Sequence, residues 1–212
     1  MSNDTPSLRE RQRERRRRDI VDAAWDLFGE KGFDETSIEE VAARAEVGPA
    51  TVYNYFGSKN ELLVALFLRF IQQEAEQGDA ALHNPPPDVI DGMMTLFETY
   101  LEGLATRCSP LLLREFYALG ISRRFDYGRH TYDLKRRFLE QGHRLAVYYK
   151  ELGQIRADVT ADEATAMCHS AAMFPMTLFA MGLGIDLETA RRMLRRYLTL
   201  TLTGIGSARG SA

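Results

Sequence analysis

Seven arginines crowd into the ten residues from Arg9 to Arg18, against two glutamates, which gives that stretch a charge of +5. The chemistry open to such a run is phosphate binding, because guanidinium groups pair with phosphate oxygens and release the counterions held by nucleic acid. The remainder of the chain carries −8, so the overall charge of −3 conceals a basic arm on an acidic body. On charge alone, a solvated tail or leading helix turn without a partner explains the run equally well. A second group of side chains is more discriminating. Thr51, Tyr53, Asn54, Tyr55 and Lys59 lie close together in the chain. Tyrosine hydroxyls and a lysine can hold phosphates and set register, while an amide such as Asn54 can meet a base edge. Ser37, with the N–H groups of the helix it opens, offers another phosphate site.

Other chemistries find little support. His83, His130, His143 and His169 show no metal-ligand spacing, and the adjacent Cys168 and His169 would point about 100° apart on a helix. With no strand expected, no glycine-rich phosphate loop of the strand–loop–helix kind is available. The acidic residues sit mainly where solvated helix faces expect them. No catalytic residue, metal site or cofactor is therefore expected, and the protein is not expected to be an enzyme. Cys108 and Cys168 fit a reducing cytoplasm with both thiols free. No export signal opens the chain, and the longest apolar run, near Ala171 to Ile185, is broken by Pro175, Thr177, Gly182 and Gly184. A cytoplasmic, non-membrane protein is expected.

The elements that must position these residues are helices. Residues 1–15 are expected as a flexible basic arm. From Arg16 onward Ile20, Ala23, Ala24, Leu27 and Phe28 recur at helical spacing until Gly32. Ser37 and Glu40 spell a capping box that opens a short helix carrying Ile38, Val41, Ala42 and Ala45. The turn Glu46-Val47-Gly48 leads to a second short helix, Pro49 to Phe56, which Gly57 stops. Two short helices across a three-residue turn form a helix-turn-helix, whose second helix lies in the major groove of DNA. Arg17, Pro49 and Ala50 complete the surface expected at double-stranded DNA. Ser58 and Glu61 start the next helix, expected to fray near Gly78. Further helices are expected at roughly 88–106, 109–121, 124–152, 161–182 and 187–204. The fold class is all-α, with about nine helices: a domain over 16–60 and a larger one over 61–212.

From Arg17 to Leu66 the chain resembles the DNA-binding domain of the TetR family of bacterial regulators. The resemblance is carried by Ile20, Ala23-Ala24, Leu27-Phe28, Gly32-Phe33, Thr36-Ser37-Ile38, Val41-Ala42 and Val47. It continues through Thr51-Val52-Tyr53, Tyr55-Phe56, Ser58-Lys59 and Glu61-Leu62-Leu63. This sequence departs from the family where Gly is common and Glu46 stands, where Ser or Thr is common and Gly48 stands, and at Pro49. Losing a hydroxyl cap at position 48 removes a contribution of about 0.5–2 kcal/mol. Pro49 removes a side chain that could read a base, which throws specificity onto Thr51, Tyr53 and Asn54.

The resemblance implies a C-terminal helical domain that binds a small-molecule effector, and a homodimer formed through the last two helices. Ala166, Ala171, Ala172, Met173, Leu178, Phe179, Met181, Leu194, Tyr197, Leu198 and Leu202 offer apolar surface for that pairing, or are core of the single chain. Aromatic residues crowd the middle of the chain. Tyr100, Phe116, Tyr117, Met173 and Phe174 are the candidates for lining an effector pocket, with ordinary core the alternative. A repressor released from a near-palindromic operator by a hydrophobic or aromatic effector is the expectation. A transcriptional activator, or a DNA-binding protein with no ligand, is the alternative.

Overall fold

The computed structural model describes residues 7–121 and 127–205, with only the backbone given at 117, 119–121, 127–135 and 205. The described residues form nine helices and no β-strand. They divide into two compact units, Met1–Arg69 and Phe70–Ala212.

In the first unit, α1 (Leu8–Lys31) begins eight residues ahead of the apolar pattern expected from Arg16. The reason is a capping box: the Ser7 hydroxyl accepts from the Glu10 N–H at 3.2 Å, and Glu10 Oε2 accepts from the Ser7 N–H at 2.7 Å. Arg, Glu and Gln are good helix formers, so nothing interrupts the helix from there. From Leu8 onward the expected flexible arm is therefore the exposed start of α1; residues 1–6 lie outside the described residues. Ser37 and Glu40 make the expected box at the head of α2 (Ile38–Arg44). α3 (Pro49–Phe56) starts on Gly48 without a side-chain cap and stops at Gly57, whose φ of +71° suits glycine. Ile20, Ala24, Phe28, Val41, Ala42, Val52 and Phe56 are all buried.

α4 (Lys59–Ala81) contributes residues through Arg69 to the first unit and the remainder to the second. The sequence boundary expected at 60/61 thus falls within its first turn. It does not fray at Gly78, because Gln141 packs there: a Cβ at Gly78 would stand 2.8 Å from Gln141 Oε1.

The second unit continues with α5 (Val89–Arg107), α6 (Pro110–Ile121), α7 (Tyr127–Glu151), α8 (Ala161–Ala180) and α9 (Leu187–Ile205). Asp88 caps α5, Thr160 and Glu163 box α8, and Asp186 Oδ1 accepts from the Thr189 N–H at 2.7 Å. α8 runs through Pro175, which is buried. The core joins α5, α7, α8 and α9 through Met93, Leu96, Leu101, Ala146, Tyr149, Cys168, Ala172, Leu194 and Leu198. Gly92 lets Tyr149 approach α5, and the Tyr149 hydroxyl donates to the Pro86 carbonyl at 2.6 Å. Each fully buried large side chain stabilises the unit by about 1.5–3 kcal/mol.

Candidate functional site

The turn between α2 and α3 closes α2 with a complete Schellman pair. The Val47 N–H donates to the Ala42 carbonyl at 2.9 Å, and the Glu46 N–H donates to the Ala43 carbonyl at 3.2 Å. That geometry needs a left-handed residue at position 46, and Glu46 supplies it at φ +53°. A non-glycine residue is strained there, by about 1–2 kcal/mol. Gly48 has an ordinary φ of −76°, so it is not required by backbone conformation.

On α3, Val52 and Phe56 face inward. At 100° per residue this turns Ala50 and Asn54 squarely outward, with Pro49 and Tyr53 on one flank and Thr51 on the other. Pro49, Ala50, Tyr53 and Asn54 are exposed, Tyr53 at 48%, while Thr51 and Tyr55 are half-buried. The Tyr55 ring lies against Phe56 at 6.2 Å. Arg17 on α1 sits over the Phe56 ring at 5.4 Å, which fixes the exposed arginine face of α1 beside the end of α3. Lys59 donates to the Asp34 carbonyl at 3.2 Å and lies over the Phe33 ring at 4.3 Å. It therefore clamps the Phe33–Asp34 loop, with ammonium donors left over for a phosphate.

Ser37 is committed more fully than its sequence suggests. Its N–H donates to Glu40 Oε2 at 2.8 Å, and its hydroxyl both donates to that carboxylate and accepts from the Glu40 N–H. The ion pair with Lys31, then the Ser37 hydrogen bonds, hold the Glu40 carboxyl down at about 2. The remaining α2 N-terminal donors are backbone N–H groups beside an ionised carboxylate.

In the second unit the expected pocket residues separate. Tyr100 and Phe116 are buried, Met173 is half-buried, and Phe174 is 54% exposed with its ring 6.3 Å from Tyr197 of α9. The Tyr117 side chain lies outside the described residues. Tyr100 donates its hydroxyl to Gln141 Oε1 at 2.6 Å, and Gln141 donates to the Ala75 carbonyl at 2.7 Å. Phe116 lies 6.2 Å from Phe70. The apolar surface assigned to the last two helices also needs correcting. Ala172, Leu194, Leu198 and Leu202 are buried in the core of the single chain. Of the residues expected there, Ala166 and Met181 are exposed, and Met167, Phe174, Leu183 and Leu200 are exposed as well.

Sequence reasoning missed Glu74. It treated the acidic residues as mainly solvated, yet Glu74 has 0% exposure. The signal was its place at the end of the stripe Leu62, Leu66, Phe70, Glu74, spaced by four. Burial pushes its carboxyl up to about 6, against a smaller opposing effect of Arg107. Burial also pushes the thiols of Cys108 and Cys168 up to about 12, and both are free. No described helix is long and apolar enough to cross a membrane.

The family model for bacterial regulatory proteins of the tetR family matches residues 20–66, which spans α2, α3 and the start of α4. An uncharacterised HTH-type transcriptional regulator of Mycobacterium tuberculosis is 38% identical over 65 residues, 31% of this chain. The match covers 30% of that relative, so the chain is aligned with under a third of its length. A TetR-family transcriptional regulator of Pectobacterium atrosepticum superposes with a TM-score of 0.75 at 22% identity, covering 93% of this chain and 97% of that one. Thermus thermophilus FadR, a TetR-family repressor in complex with lauroyl-CoA, gives 0.67 at 22% identity, covering 92% and 98%. A Saccharomonospora viridis protein in complex with choline gives 0.69 at 18% identity, covering 92% and 100%. The helix-turn-helix segment, residues 20–66, thus matches the tetR family of bacterial regulatory proteins in sequence, and the all-helical fold is shared along most of its length with solved structures of TetR-family regulators.

Proposed function

We propose that this protein is a dimeric DNA-binding transcriptional repressor that a small-molecule effector releases from a near-palindromic operator. The observation that carries the DNA-binding half is the outward face of α3. Ala50, Tyr53 and Asn54 are exposed, and the side chains of Thr51, Tyr53 and Asn54 have no hydrogen-bond partner among the described residues. An exposed amide on a short helix that begins at a tight turn suits a base edge in the major groove. Tyr53, Tyr55, Arg17 and Lys59 then hold flanking phosphates, with Pro49 and Ala50 allowing close approach of the helix start. Ser37 is a weaker phosphate contact in this reading, since Glu40 already occupies its donors.

The effector half rests on the second unit's helical fold and on its solved neighbours. One of those holds lauroyl-CoA and another holds choline, so they support ligand binding without indicating one chemical class. Tyr100 and Phe116 are the interior aromatics proposed to contact the effector, and half-buried Met173 is proposed with them. Phe174 suits a dimer seam better, together with Met181 and Leu200, because those side chains are exposed on α8, the residue after it, and α9. A two-fold dimer would set two copies of α3 about one DNA turn apart. Effector binding shifts the population toward an arrangement that no longer fits. The link between sensing and DNA runs along α4, an unbroken helix that contributes to both units.

The test is selection of bound duplexes from a random pool by the full chain, followed by release with candidate ligands. Enrichment of a near-palindrome with half-sites about 10 base pairs apart supports the reading. A pool that stays random overturns it. Deleting the gene in its host and following a promoter that bears the selected site separates repression, where output rises, from activation, where it falls.

A further inference from the structure

A carboxylate removed from water ordinarily gathers several hydrogen-bond donors. Glu74 has gathered none among the described residues: both oxygens are buried and neither accepts a hydrogen bond. Its one charged neighbour among the described residues is Arg107, whose Nη2 lies 3.0 Å from Oε1 without the alignment of a hydrogen bond. That pair offsets the charge but leaves the acceptor capacity of both oxygens unused. The side chain of Arg107, at the end of α5, is 40% exposed.

The surroundings say what kind of group is missing. Glu74 lies against Gly103, and Tyr100, Gly103 and Arg107 fall on one face of α5 by their spacing. Gln141 joins the Tyr100 hydroxyl to the carbonyl of Ala75, the residue next to Glu74. The Tyr100 ring is 4.2 Å from Phe138, which is 5.3 Å from Phe97 and 5.0 Å from His169. An unfulfilled acid is thus continuous with an aromatic cluster. Aromatic faces attract cations, and a charged donor stabilises a buried carboxylate better than a neutral one. An anionic head group would meet Glu74 itself.

We propose that Glu74 receives the positively charged head group of the effector, which makes the ligand class an organic cation with an apolar or aromatic body. This rests on the second unit being the effector-binding one. On binding, the ammonium or amidinium group takes the place of Arg107 opposite Glu74. Arg107 turns fully into water, where its charge is readily solvated. The site thereby exchanges an internal ion pair for one made with the ligand.

Calorimetric titration of the full chain with two matched pairs tests this: benzamidine against benzamide, and phenethylammonium against 2-phenylethanol. The expected result is that each cation binds at least about tenfold more tightly than its neutral counterpart. In Glu74→Gln the ratio falls to near one while the neutral affinity is kept. A ratio near one in the parent protein, no saturable binding of either cation, or a ratio retained in Glu74→Gln overturns the proposal. Arg107→Gln gives an independent reading, because removing the competing internal cation should tighten cation binding several-fold; unchanged or weaker binding contradicts the exchange. Duplex selection by the same protein tests the regulatory reading separately. Selective DNA binding without a cation preference leaves that reading standing and removes this one, and a cation preference without DNA binding does the reverse.

Discussion

Replacing Glu74 by glutamine should make the protein more stable at neutral pH, and the gain should vanish in acid. The amide keeps the volume of the carboxylate, so it fits against Gly103 without a new clash. The native carboxyl titrates at about 6 because burial disfavours its charged form, compared with 4.5 for an unburied glutamate. Between those two pH values the folded chain holds a proton that the unfolded chain has released. Stability contributed by this group is therefore fully present below 4.5 and is lost as pH rises through 6. The displacement is worth about 2 kcal/mol. Urea unfolding of the parent and of Glu74→Gln, followed from pH 4.5 to pH 7.5, should show nearly equal stability at the acid end. At the neutral end the variant should lead by about 2 kcal/mol. Arg107 loses its partner in the variant, but its side chain is 40% exposed and can hydrate. A difference that does not change with pH, or a variant that falls further behind as pH rises, would refute the assignment of an uncompensated buried charge.

Three other perturbations follow from the same geometry. Glu46→Gly removes a left-handed strain of about 1–2 kcal/mol and returns part of it as chain entropy, so denaturant unfolding should show a net gain of about 0.5–1 kcal/mol; a loss would mean φ +53° is not strained. Gly103→Ala places a Cβ 1.8 Å from Glu74 Oε2 and should cost at least about 1–3 kcal/mol. Pairing it with Glu74→Ala should recover most of that loss, and simple additivity would disprove the contact. Arg9→Ala with Arg13→Ala, on the α1 stripe that leads to Arg17, should lower the salt dependence of DNA binding by about two in the log–log slope. An unchanged slope would leave those arginines as a solvated face.

The helix-turn-helix was legible because its limits are written in local chemistry. Ser37 and Glu40 start α2, Pro49 suits the first turn of α3, and Gly57 takes the positive φ that ends it. The start of α1 was missed because Ser7 and Glu10 stand ahead of any apolar period, although the same capping spacing was there to be read. Glu74 was hidden for the opposite reason: a charge placed on an apolar stripe reads as the end of the stripe, and only packing against Gly103 reveals that it is interior. The surface of α8 and α9 was harder still. Leu194 and Leu198 look no different in sequence from Leu200, yet helical phase buries the first two in the core and turns the third outward. Glu46 stood out as unusual, but its physical cost became visible only with its φ.

The central claim is that the outward face of α3 reads DNA sequence. Fluorescence anisotropy titration of the parent and of Asn54→Ala, against a selected duplex and a scrambled one at fixed salt, tests it most directly. The account predicts that the parent prefers the selected duplex by at least about a thousandfold. It predicts that Asn54→Ala loses about 1–3 kcal/mol of that preference per affected base pair, while its affinity for scrambled DNA stays unchanged. Equal affinity for the two duplexes, or a preference untouched by Asn54→Ala, would contradict it.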